Sequence, residues 1–61
     1  MQHEKILDSA IFYWDIFLLD GNNRDLKMAY KLMKEYRESG GTEYQSTFEA
    51  IQQAVNKIET T

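Results

Sequence analysis

The sequence predicts an all-α protein, a compact three-helix bundle that forms one domain over residues 1–61. Two breaks that contain glycine, residues 20–23 and 39–42, divide the chain into thirds. Within each third, apolar residues recur at steps of three and four, and none alternates with the period of two that marks a strand. We therefore expect helices at about residues 3–20, 23–39 and 42–59.

The first helix carries more apolar surface than one core requires. At about 100° per residue, eight apolar side chains fill a broad arc of roughly 160°, which suits contact with two neighbouring helices. They are Ile6, Leu7, Ala10, Ile11, Tyr13, Trp14, Phe17 and Leu18. Phe12, Ile16 and Leu19, which we call the outer ridge, lie outside this arc, on the side of Asp8 and Asp15. Their spacing of four and then three is typical of a helix–helix seam.

Two interpretations of the outer ridge stay open at this point. The first helix is either the nearly enclosed central member of a splayed bundle, or its outer ridge contacts another chain. That chain would be a second copy or a different target. The size of the protein favours contact with another chain, because 61 residues have little volume in which to enclose a whole helix. Left uncovered, such an apolar patch would promote aggregation.

The second helix follows a turn in which Gly21 suits the left-handed end of the first helix and Asn22 or Asn23 suits an N-cap. Its predicted core positions are Leu26, Ala29, Tyr30, Leu32, Met33 and Tyr36. Its other face carries four basic residues at steps of three, four and three, which we call the basic stripe: Arg24, Lys27, Lys31 and Lys34.

The basic stripe supports an alternative function as a nucleic-acid-binding regulator, because a recognition helix uses such cations to reach phosphates and base edges. Residues 24–38 have a net charge of +2, whereas the rest of the chain has −5. We nevertheless expect nucleic-acid binding to be the weaker alternative. Lysine commonly fills the solvent face of a helix, and Lys31–Glu35 and Lys34–Glu38 can pair at a spacing of four.

The third helix follows Gly40 and Gly41, and Thr42 with Gln45 fits a capping box that predicts a start at Thr42. Its apolar stripe is typical of a buried helix face and consists of Tyr44, Phe48, Ile51, Val55 and Ile58, with Ala54 beside it. Of the large aromatic residues, we expect Trp14, Phe17, Tyr44 and Phe48 in the core.

The residues that catalysis and metal binding require are scarce. The chain has no Cys, and its one histidine, His3, lies close to the N-terminus, where helices fray. Glu-x-x-His pairs, a calcium loop and a glycine-rich phosphate loop are all missing. We therefore expect no enzyme activity, no metal, no cofactor and no small-molecule substrate.

Composition indicates a soluble, cytoplasmic protein. The net charge is −3 with 28% charged residues, which argues against a general binder of nucleic acids or anionic membranes. The longest apolar stretch, residues 10–19, is interrupted by Asp15 and is half the length that a membrane span requires. No basic segment followed by an apolar run, as in a signal peptide, is visible at the N-terminus.

These observations predict a small non-enzymatic module that binds another protein and modulates it, by inhibition in the simplest case. The outer ridge would supply the apolar anchor of the contact. Self-association through the same residues is part of the hypothesis, and we expect a homodimer. The size and the Pro-free composition rich in Lys, Asn, Glu, Tyr and Ile are in the style of small regulatory proteins of bacteria and phages, although no motif carries that resemblance.

Overall fold

The computed structural model describes residues 2–60, with the side chains of residues 4–59. It confirms the predicted all-α fold of three helices, and the described residues contain no strand. The helices are α1 (Gln2–Asp20), α2 (Asn23–Glu38) and α3 (Gln45–Thr60).

The turn between α1 and α2 is built from the residues that the sequence assigns to it. Gly21 has a φ of 71°, and its N–H donates to the carbonyl of Phe17 at 2.7 Å, which ends α1 in an αL motif. Asn22 is the N-cap of α2, and its side-chain oxygen accepts from the N–H of Arg24 at 2.9 Å. The N–H of Asn22 donates in turn to the carboxylate of Asp20 at 3.0 Å. Local hydrogen bonds thus fix the reversal of the chain.

A Schellman motif ends α2. Gly40, with a φ of 105°, donates its N–H to the carbonyl of Arg37 at 3.1 Å, and Gly41 donates to the carbonyl of Tyr36 at 3.0 Å. Glycine is needed at position 40 because L-residues rarely adopt this left-handed backbone. Gly41 is buried against the ring of Tyr36, so that the loop wraps closely around this side chain.

The predicted start of α3 at Thr42 is wrong, because the helix begins three residues later, at Gln45. The reason is a tertiary contact: the N–H of Glu43 donates to the hydroxyl of Tyr36 at 3.1 Å and holds the loop against α2. The backbone then passes through Tyr44 with a φ of 60°. The prediction that Tyr44 belongs to the core is also wrong, since its side chain is 51% exposed.

The core is centred on α2, which packs along α1 and, less extensively, against α3. Of the residues whose burial is described, half of the buried apolar ones belong to α2; the set is Leu7, Ala10, Leu26, Ala29, Met33, Tyr36, Ile51 and Val55. The interpretation of helix 1 as the central, enclosed helix is therefore wrong. α1 has one extensive neighbour where its apolar arc suits two, so Trp14 and Phe17 are only partly buried. Leu18, also assigned to that arc, is 61% exposed.

Candidate protein-binding face

The outer ridge is largely uncovered. Phe12 is 60% exposed and Leu19 is 89% exposed, whereas Ile16 between them is half-buried. These three side chains fall within about 60° of one another around α1 and point away from Leu7 and Ala10, the buried residues of this helix. The face therefore presents an apolar anchor on an α-helix.

Two aromatic contacts are described on α1, one on its inner face and one between the inner face and the outer ridge. On the inner side, the rings of Trp14 and Phe17 stack with centroids 5.7 Å apart and pack against the core. The ring of Phe12 meets Tyr13 edge to face, with centroids 5.7 Å apart. Among the described residues, Tyr13 is thus the aromatic neighbour of Phe12, and the exposed part of the Phe12 side chain is available to a partner.

Carboxylates border the outer ridge on one flank. Asp8 and Asp15 are exposed and lie one heptad apart beside Phe12, while Asp20 is exposed at the end of the helix. Lys5 is the one basic residue on this part of α1, and it lies near the N-terminus of the helix. The rim around the apolar anchor is therefore acidic.

The basic stripe is also exposed at all four of its positions, Arg24, Lys27, Lys31 and Lys34. None of them makes an ion pair with a described residue, so Lys31 does not pair with Glu35, nor Lys34 with Glu38, although their spacing of four allows it. Lys34 instead places Nζ 5.5 Å from the ring centroid of Tyr30, at a distance typical of a cation–π contact.

The structure does not bring the two predicted sites together. The outer ridge points away from the buried residues of α1, and the basic stripe points away from the buried residues of α2. Because α1 and α2 pack against each other through those buried residues, the two faces lie on opposite sides of the helix pair. One side of the molecule is apolar and acidic, and the other is basic.

Sequence reasoning missed the contact that seats α3 on α2. The guanidinium of Arg37 lies 5.0 Å from the ring centroid of Phe48, and the same ring stacks on Tyr30 at 6.4 Å. Arg37 Nη1 is buried with no hydrogen-bond partner among the described residues, so the aromatic face is its principal contact. The spacing of seven between Tyr30 and Arg37 placed both on one edge of α2, a signal that could have revealed this site.

The described residues offer little for ligand chemistry. Among them there is no cavity and no group of three His, Cys, Asp or Glu residues that could hold a metal ion. The side chain of His3 lies outside the described ones. None of the three helices, as far as they are described, is both long and apolar enough to cross a membrane. In the comparisons with known proteins, no family model, curated protein or solved structure matches the chain.

Proposed function

We propose that this protein is a small non-enzymatic interaction module of the cytoplasm that binds another protein through the outer ridge and inhibits it. The observation that carries the proposal is the exposure of Phe12 and Leu19 on one face of α1. A regulatory role of the kind that small bacterial and phage proteins perform would fit this design.

The spacing of the exposed side chains supports this mode of binding. Residues at i, i+4 and i+7 are the anchors with which a helix fills an apolar groove of a partner, and Phe12, Ile16 and Leu19 have that spacing. Full burial of a Phe or Leu side chain is worth about 1.5–3 kcal/mol, so two such residues can dominate the binding free energy. Self-association uses the same face and is the homodimer form of the proposal.

Photo-crosslinking tests the proposal in the cells that produce the protein. A benzophenone amino acid in place of Phe12 should yield a covalent adduct with a protein partner, whereas the same group at Lys27, on the opposite side, should not. Introducing Leu19→Asp into the Phe12 crosslinking chain should remove the adduct, because it places a charge in the contact. An adduct that survives Leu19→Asp, or that forms equally from position 27, would refute binding through the outer ridge.

Inhibition is tested on the partner that the crosslink identifies. We expect the activity of that partner to fall when the intact protein is added and to stay unchanged when the Phe12→Asp variant is added. A partner that is bound without any change in activity would restrict the function to binding.

The second candidate function is a nucleic-acid-binding regulator, favoured by one observation: all four cations of the basic stripe are exposed on one face without a carboxylate partner. Each phosphate that such a cation neutralises lowers log K by about 0.9 per unit of log salt on duplex DNA. If this function is correct, binding of a labelled duplex weakens steeply with salt and is lost in Lys27→Glu/Lys31→Glu but kept in Phe12→Asp. Binding of the duplex that stays unchanged in Lys27→Glu/Lys31→Glu would exclude this function.

A further inference from the structure

The outer ridge is self-complementary under a two-fold rotation. Ile16 has Phe12 four residues before it and Leu19 three residues after it. When α1 of a second copy runs antiparallel, with the axis beside Ile16, Phe12 of each copy meets the partner's Leu19. An isologous contact requires a patch that matches itself in this way. We propose that, when no target protein is bound, the outer ridge is occupied by a second copy of this chain through antiparallel α1 helices.

The distribution of charge favours the antiparallel direction. With the axis beside Ile16, about ten residues of each α1 overlap over roughly 15 Å, and the charged N-terminal residues Lys5 and Asp8 extend past the end of the partner helix. A parallel pair would instead place Lys5 beside Lys5 and Asp8 beside Asp8 of the two copies. The antiparallel pair avoids both of these repulsions.

One unfavourable contact remains, and it gives the dimer a specific signature. Asp15 lies next to the axis and about 60° to one side of Phe12 around the helix, so a two-fold rotation brings the two Asp15 side chains to the same edge of the contact. Both are exposed in the single chain. Their repulsion weakens as salt screens it, and the dimer therefore tightens as ionic strength rises.

The available area indicates a weak, reversible dimer. A stable interface buries roughly 800 Å² on each side, which is close to a fifth of the 4428 Å² surface of this protein. An overlap of about ten residues on one helix covers less than that. The fraction of dimer therefore changes with protein concentration and with salt. This inference rests on the proposed function, because both use the outer ridge.

Sedimentation equilibrium of the full chain, over a wide range of concentration at low and high salt, tests this arrangement. We expect a monomer–dimer equilibrium that tightens with salt and is abolished by Phe12→Asp. Asp15→Asn should tighten the dimer about two- to fivefold, as expected for relief of one exposed charge pair. Asp8→Asn makes the same change in net charge outside the overlap and is the matched control, with no change expected.

Three results would overturn the inference: a monomer at every concentration, a dimer that persists in Phe12→Asp, or equal tightening by Asp8→Asn and Asp15→Asn. If Phe12→Asp fails to fold, judged by circular dichroism, Leu19→Asp takes its place, because Leu19 is almost fully exposed next to the end of the helix. A monomer would leave the proposed function standing if the crosslinking at Phe12 captures another protein. A protein that stays monomeric and that also yields no crosslink to another protein from position 12 would refute both proposals.

Discussion

Leu26→Ala should unfold the protein or remove most of its stability. Leu26 is fully enclosed at the centre of the core, on the helix that contacts both others. Replacing a buried leucine with alanine costs about 2–5 kcal/mol, because apolar contacts are lost and a cavity remains. A chain of 61 residues has in total roughly 3–9 kcal/mol of stability at 0.05–0.15 kcal/mol per residue.

Urea denaturation followed by circular dichroism measures this effect. Lys27→Ala is the matched control, since it lies next in sequence on the exposed face of the same helix and should change the free energy of unfolding by less than about 0.5 kcal/mol. A loss of less than about 1 kcal/mol in Leu26→Ala would contradict the position of α2 at the centre of the core.

Gly41→Ala should give the second large loss, through overlap of atoms in the loop before α3. A Cβ at position 41 would occupy the space of the Tyr36 ring. That ring is held by its own burial and by the hydrogen bond from the N–H of Glu43 to its hydroxyl. The ring or the loop must therefore shift, and overpacking of this kind costs about 1–3 kcal/mol.

A double-mutant cycle identifies the cause of that loss. Urea denaturation should show a smaller effect of Gly41→Ala when Tyr36 is already Leu, because the smaller side chain leaves room for the methyl group. Thr42→Ala, at the exposed neighbouring position, serves as the control and should be almost neutral. An effect of Gly41→Ala that is the same in both backgrounds would exclude the ring of Tyr36 as its cause.

The sequence was sufficient to predict the features of the fold that depend on local chemistry. Gly21, Asn22 and Gly40 act through backbone conformation and capping bonds between near neighbours, so the ends of α1 and α2 could be read directly. The start of α3 could not, because the bond from Glu43 to the hydroxyl of Tyr36 joins residues on different elements. The tertiary contact overrides the local preference for a helix to start at Thr42.

The sequence also could not predict which helix is central, because that depends on tertiary packing. Periodicity tells which face of a helix is apolar, but it does not tell how many neighbours cover that face. The broad arc of α1 predicted two neighbours, whereas α3 packs mainly on α2 through the contacts of Phe48 with Tyr30 and Arg37. Leu18, at the edge of the arc, is exposed as a consequence.

For the candidate site, sequence periodicity predicted a separate outer ridge, and the structure leaves Phe12 and Leu19 exposed but Ile16 half-buried. Leu18, which the same periodicity assigned to the inner arc, is as exposed as Phe12. Binding through this face stays a proposal. The identity of a partner depends on a surface outside this chain, which neither helical spacing nor the packing of three helices specifies.

The stability of Phe12→Asp, measured by urea denaturation at low protein concentration beside Leu26→Ala, tests the central claim most directly. If the outer ridge is a binding surface, the variant stays folded and loses about 1 kcal/mol or less, chiefly because the new carboxylate lies one turn from Asp8 and Asp15 on the same helix and is repelled by both. A loss comparable to the roughly 3–5 kcal/mol of a buried Phe would show that Phe12 belongs to the core, and would contradict a role for the outer ridge in binding another chain.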